Sequence, residues 1–177
     1  MPGAAARAPT LFGALSRVGD TPKPVRGPTG VRRVPYGRRV NLSAAEARRR
    51  FAGARVARLA TADPAGVPHL VPITFAVDGD RIVFAVDAKP KRSTGLRRLR
   101  NIAANPAVAV LADHYADDWS ALWWARADGT AEILSPPPAG ALDPLRDKYP
   151  QYAAAPPPGP VVAVTVTAWS GWSFAAS

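Results

Sequence analysis

The stretch VFAVDAKPKRSTGLRRLRNIAAN (Val83–Asn105) sets the frame for the whole chain. A short apolar strand, 81–86, runs into a polar turn carrying Lys89 and Lys91. An amphipathic helix follows, with Arg97, Arg98 and Arg100 in its first turns. Six positive charges and no acid lie between Lys89 and Arg100. A strand that ends in a lysine turn and then opens a helix offers cationic side chains beside free backbone N–H groups, the two things a phosphate needs. A solvated basic helix face is the simpler account of such a charge run, and the strand before it decides between the two.

That strand is VPHLVPITFAV (Val67–Val77). Its odd positions, Val67, His69, Val71, Ile73, Phe75 and Val77, are bulky and mostly apolar. Its even positions, Pro68, Leu70, Pro72, Thr74 and Ala76, are smaller. Period two with this asymmetry predicts one face on a core and a second face against which a flat ligand can lie close to the backbone. The two prolines donate no ladder hydrogen bonds and suit an edge. Asp78-Gly79-Asp80 predicts a hairpin into the strand at Arg81. RVARLATA (55–62) predicts the preceding strand, turned by Asp63-Pro64-Ala65-Gly66.

In this order of elements the chain resembles the flavin- and deazaflavin-binding split β-barrels related to pyridoxamine phosphate oxidase, and within them a branch of coenzyme F420-dependent enzymes. The resemblance rests on residues 55–63 and 66–75, on Lys89-Pro-Lys91 with Leu99-Arg-Asn-Ile102 and Asn105-Pro106, and on Asp113-His-Tyr115. Asp118-Trp119, Leu122-Trp-Trp124, Arg126-Ala-Asp-Gly129, Lys148-Tyr-Pro-Gln-Tyr152, Gly159-Pro160 and Trp169-Ser-Gly-Trp172 extend it over residues 41–177. It implies a mainly β fold: a six-stranded antiparallel split β-barrel with a few short peripheral helices, forming a homodimer whose cofactor lies between subunits.

What the resemblance implies for function is an oxidoreductase passing a hydride between a deazaflavin and a small organic substrate. FMN in the same groove is the alternative. A non-catalytic flavin or haem carrier, and a nucleic-acid binder acting through the N-terminal arm, are readings of other classes. Lys89 and Lys91 would hold the cofactor's anionic tail. His69, Val71, Pro72, Ile73 and Thr74 would run along its ring, Arg97 and Asn101 would close on the phosphate region, and Trp123 would line the groove with Trp119 and Trp124. No residue is assigned to catalysis by its pattern; His69 and Tyr115 are the candidates. His69 serves equally as a hydrogen-bonded structural histidine, and Asp113-His114-Tyr115 as a polar strand end.

Composition narrows the chemistry. The 177 residues contain no cysteine and two histidines, His69 and His114. Thiolate catalysis and disulfides are excluded, and no histidine metal site is expected. The fingerprints G-x-G-x-x-G, Walker A and G-x-S-x-G are absent. No apolar run reaches the roughly 18 residues of a membrane span, so a cytoplasmic protein is expected.

The net charge of +10 is uneven. Residues 1–40 hold eight basic residues and one acid, a net +7; residues 41–177 hold fifteen and twelve, a net +3. The first 40 residues, with six prolines, read as a disordered basic tail or as a start site placed too far upstream. The domain proper is expected at 41–177. It opens on the capping-box pattern Ser43-x-x-Glu46 ahead of a helix at 44–54. A helix at 95–104, a strand at 107–112, a hairpin turning at Asp128-Gly129 between strands 119–127 and 129–134, a helix at 139–148 and a last strand at 161–169 complete the expectation.

Overall fold

The structure, a computed structural model, describes residues 39–86 and 96–174. Its elements in order are β1 (Arg39–Asn41), α1 (Ala44–Gly53), β2 (Ala57–Ala62), β3 (Pro68–Ile73), β4 (Ala76–Asp78), β5 (Arg81–Ala85) and α2 (Arg97–Ala104). There follow β6 (Ala107–His114), a 3-10 turn (Trp119–Ala121), β7 (Trp123–Leu134), α3 (Asp143–Lys148), α4 (Pro150–Ala154) and β8 (Val161–Phe174). Seven strands hydrogen-bond in the order β3-β2-β6-β7-β8-β5-β4, all antiparallel, and β1 pairs with β8.

This is the mainly β split barrel the sequence leads to, with eight strands among the described residues where six were expected. The extra strands come from two places. The run 67–77 is not one strand: it breaks at Thr74 and Phe75 into β3 and β4, which lie at opposite ends of the hydrogen-bonded path. Two residues join those ends, so the sheet closes on itself covalently there rather than by a ladder. Strand β1 also takes in Arg39 and Val40, which the sequence reading gave to the tail.

One predicted turn is absent. Asp128-Gly129 is not a hairpin; β7 runs straight through it with a register shift against β8. Gly79 adopts φ +56° and turns β4 into β5, whereas Gly129 is not among the positive-φ glycines. The reason for glycine at 129 is contact: a Cβ there would collide with the Thr165 backbone oxygen. Ser170-Gly171 likewise lies inside β8. A Cβ on Gly171 would come within 2.9 Å of the Trp124 carbonyl oxygen and of Leu42. Its absence lets the start of α1 close on the sheet.

The barrel interior holds Phe51, Leu59, Phe75, Ile82, Phe84, Val110, Val162 and Val164, all essentially inaccessible. Helix α1 brings in Ala47 and Phe51, and the Phe51 ring centroid lies 4.7 Å from that of Phe75 and 5.1 Å from that of Trp169. Ser43 caps α1 through the Glu46 N–H (3.2 Å). The Glu46 carboxylate turns to Arg49 and Arg50 rather than back to the cap, and those hydrogen bonds lower its pKa to about 2. Strand β5 is buried on both faces, since α3 and α4 cover its outer side. A second cluster of Ala76, Val83, Ala85, Leu145, Tyr149 and Val161 forms there. Among the described residues no helix is long and apolar enough to cross a membrane.

Candidate functional site

The outward positions of β3, β2, β6 and β7 form a surface whose geometry follows from strand register. One transverse row reads Pro72, Arg58, Leu111, Arg126. The next reads Leu70, Ala60, Ala109, Asp128, and the next Pro68, Ala62 and, on the far strands, Ala107 and Thr130. On the other side of the arginine row stand Asp113 and Trp124, paired across β6 and β7. Four alanines thus sit where strands usually carry larger side chains, and larger residues rise around them.

Two shallow grooves share this floor. One, of about 430 Å³, lies over Ala60 and Ala109 between Leu70, Leu111, Tyr115 and Trp124. The other, of about 560 Å³, runs over Ala62, Pro68 and Ala107 towards Thr130 and Thr167. Both volumes fall in the range of small-molecule sites. Leu70 is 63% exposed, Tyr115 66% and nearby Trp119 53%, an apolar surface that a folded chain leaves open only at some cost. The charges on the surface are paired. Arg58 donates to Asp113, and Arg126 donates to Asp128, two residues along the same strand, with Nη2 at 2.9 Å.

The sequence-predicted residues divide. Pro72 faces outward beside Arg58, and Tyr115 lines the groove. His69, Val71 and Ile73 take the opposite, core-side alternation of β3. His69 is half-buried, and its carbonyl accepts from the Thr61 hydroxyl at 3.4 Å. Thr74 hydrogen-bonds the Tyr152 hydroxyl at 2.7 Å. Asn101 is buried and donates to Thr61 at 3.1 Å, which gives it a structural part at the core end of α2. Arg97 is exposed and lies 3.7 Å from Asp63, and it lines neither groove. Trp123 packs against the core, whereas Trp124 faces the groove. Lys89 and Lys91 lie outside the described residues; their segment leaves at Val86 and returns at Leu96.

Ala60, Ala62, Ala107, Ala109 and Arg58 were not singled out. Alternation in 55–62 and 107–112 was the available signal: alanine at every second position of two adjacent strands marks a low floor.

A different polar cluster seals the break between β3 and β4. Phe75 has no ladder partner for its backbone groups, and Tyr149 supplies one. The Tyr149 hydroxyl accepts from the Phe75 N–H (3.1 Å), and its proton is shared between the carbonyls of Phe75 (2.9 Å) and Arg55 (2.8 Å). Burial pushes this phenol above its usual range. Lys148 donates to the Ala52 carbonyl (2.9 Å) with its ammonium 4.0 Å from the Phe75 ring centroid. Desolvation, then the nearby Arg55 charge, lowers its pKa to about 8.

Comparison with known proteins agrees with this architecture. The family model of pyridoxamine 5'-phosphate oxidase matches residues 43–173. No curated protein sequence matches. An FAD-binding protein from Mesorhizobium loti superposes with a TM-score of 0.61 at 21% identity, covering 79% of this chain and 99% of that one. A conserved hypothetical protein from Mycobacterium tuberculosis gives 0.58 at 23%, covering 75% and 85%. The haem storage protein HutZ from Vibrio cholerae gives 0.55 at 14%, covering 72% and 93%. At these identities the structures speak for the fold. The family match, over most of the chain and across every strand of the barrel but β1, shows that this chain belongs to the pyridoxamine 5'-phosphate oxidase family.

Proposed function

We propose that the chain is an oxidoreductase that binds coenzyme F420, a 5-deazaflavin, and acts as a homodimer on a small organic substrate. The observation that carries this reading is the floor of Ala60, Ala62, Ala107 and Ala109, bounded by Trp124 and Tyr115. A planar ring can lie on backbone and methyl groups there, and a second subunit would cover the exposed apolar side chains. The family membership supports a flavin-type cofactor, and the sequence blocks supporting the narrower deazaflavin branch run from Asp113-His-Tyr115 to Trp169-Ser-Gly-Trp172.

When bound, such a cofactor supplies a carbon that takes or gives a hydride. The protein's part is then position and water exclusion rather than a nucleophile, consistent with a chain that has no cysteine. The alanine floor lets the ring approach closely. Trp124, Tyr115 and Leu70 displace water from its edge. Lys89 and Lys91 anchor the anionic tail as charge-assisted donors.

The test is parallel titration of the full chain with the deazaflavin, FMN and hemin, followed by absorbance and fluorescence. Saturable deazaflavin binding with weak FMN binding supports the reading. Tight FMN binding alone moves the assignment to the flavin enzymes of the same fold, the second reading that FAD-binding neighbours favour. A hemin complex alone points to a carrier.

A further inference from the structure

The sealed face of the barrel holds an amine that the proposed hydride chemistry does not use. The chain's 23 basic residues include four lysines, Lys23, Lys89, Lys91 and Lys148; the rest are arginines. Among the described residues Lys148 is the only lysine. It ends α3, and its ammonium caps the last turn of α1 through the Ala52 carbonyl at 2.9 Å. The nitrogen lies 4.0 Å from the Phe75 ring centroid and 5.8 Å from that of Tyr149. Exposed Arg55 donates from Nη1 to the Lys148 carbonyl at 3.0 Å, with its guanidinium carbon 4.7 Å from the Tyr149 centroid. The other titratable group packed here is the phenol of Tyr152, which hydrogen-bonds Thr74. Among the described residues neither Arg55 nor Lys148 pairs with a carboxylate.

An arginine at 148 could make the same cap and ring contact, but a guanidinium keeps its proton and is no nucleophile. An amine can give its proton up. Burial and the Arg55 charge favour that loss, and they outweigh the pull of the ring face on the charged form. Acyl transfer from an anionic donor needs two things: a lone pair, and a fixed cation to hold the leaving group. We propose that Lys148 is a covalent acylation site that takes an acyl group from a small acyl phosphate held against Arg55. The nitrogen lone pair forms the amide bond to the acyl carbon, and the carbon–oxygen bond to phosphate breaks. Phosphate leaves with that electron pair and takes up the proton lost from nitrogen. The amide keeps one N–H for the Ala52 carbonyl and carries no charge to desolvate. The site shares no residue with the alanine floor and stands apart from the cofactor reading.

The probe is acetyl phosphate, added to the full chain without cofactor at about pH 7.5, with Nα-acetyl-lysine amide in the same tube as the reference amine. After denaturation the remaining amines are capped with deuterated acetic anhydride, and peptide mass spectrometry gives the acetylated fraction at each lysine. At this pH an amine of pKa about 8 is neutral roughly two hundred times more often than one of 10.5. The weaker nucleophilicity of a weaker base, and partial burial, take back part of that gain. Lys148 is expected to react about tenfold faster than the reference, with a rate that levels off above about pH 8 while the reference keeps rising. Arg55→Gln keeps a donor for the Lys148 carbonyl and removes the charge; the Lys148 rate should fall about tenfold and its plateau move to higher pH.

A Lys148 rate at or below that of the reference amine would overturn the proposal and leave the ammonium as a helix cap only. So would an unchanged rate in Arg55→Gln at an unchanged melting temperature. If that variant melts early, inorganic phosphate added to the wild type at constant ionic strength takes its place. It should slow acetylation at Lys148 and not at the reference; equal slowing of both, or of neither, counts against Arg55 as the holder of the donor. The outcome of the cofactor titration bears on none of these rates.

Discussion

The same sheet has two outer faces, and they are finished in opposite ways. Over β4, β5 and the first half of β8 the outward positions are Ala76, Val83, Ala85 and Val161, and α3 and α4 bury them under Leu145 and Tyr149. Over β3, β2, β6 and β7 the outward positions are alanines, paired charges and aromatics left in solvent. Strand geometry is common to both. What differs is whether the outward residues give a helix enough apolar area to dock on. At the first face the break in the barrel is sealed and every backbone group of Phe75 is partnered. At the second the surface is shaped and neutral but uncovered. Stability is therefore concentrated at the sealed face, and the proposed ligand binding at the open one.

The largest expected effect breaks the sealed face. Tyr149→Ala removes a buried aromatic ring and should cost about 3–5 kcal/mol of folding stability. Tyr149→Phe keeps the ring and leaves the Phe75 N–H and two carbonyls short of a partner, for about 1–3 kcal/mol. Chemical denaturation should show both losses, while cofactor affinity of the still-folded Phe variant changes by less than about twofold. A Tyr149→Phe protein as stable as the wild type would mean that the closure does not depend on this hydroxyl.

The opposite signature is expected at the lysine turn. Lys89→Ala and Lys91→Ala should each weaken cofactor binding by about 1.5–3 kcal/mol, roughly tenfold to a hundredfold. Melting temperatures should hardly move, staying within about 0.5 kcal/mol of the wild type, if these lysines serve the ligand and not the fold. Arg92→Ala is the control beside them. Equal and small effects from all three would make the run a solvated face and remove the phosphate assignment.

A third prediction sharpens the contrast through pH. Lys148 is held near pKa 8 in the folded chain against 10.5 for an ordinary lysine. Between those values the unfolded chain binds more protons at this site than the folded one. The contribution of Lys148 to stability therefore rises as pH increases from about 8 towards 10.5. Below 8 the ammonium stays charged in both states and its desolvation cost is carried in full, offset in part by the Phe75 ring and the Ala52 carbonyl. Melts of wild type and Lys148→Met across pH 7–10 should converge with rising pH if this desolvation governs the site. A difference that does not vary with pH would refute it.

Periodicity made much of this legible. Alternation in 67–73 correctly separated a core side, Val71 and Ile73, from an outward side, Pro68, Leu70 and Pro72. It did not reveal that the strand ends at Thr74, because 74–77 keep the same alternation and only the tertiary path separates β3 from β4. Asp128-Gly129 carries a strong hairpin signal, yet glycine there answers the crowding against Thr165, a contact invisible in one dimension. Trp123 and Trp124 are equivalent in composition and opposite in facing; one residue of register decides which meets the core. Asn101, polar and beside three arginines, reads as a ligand contact until Thr61 is placed against it.

The smallest effect is expected at the N-terminal boundary. Deleting residues 1–38 removes most of the excess positive charge but leaves β1, whose Arg39, Val40 and Asn41 pair with Phe174, Ser173 and Trp172. Folding stability should change by less than about 0.5 kcal/mol, and deazaflavin affinity should be unaltered. Extending the deletion through Asn41 strips the strand partner from the end of β8 and leaves Leu42, whose N–H donates to the Gly171 carbonyl at 2.9 Å, at the new chain start. A measurable loss is expected for that longer deletion. Differential scanning calorimetry of the two deletions thus locates the edge of the domain. If the shorter one already destabilises the protein, the tail belongs to the fold. If it instead abolishes a steep salt-dependent affinity for nucleic acid while leaving cofactor binding alone, the arm has a function of its own, apart from the barrel.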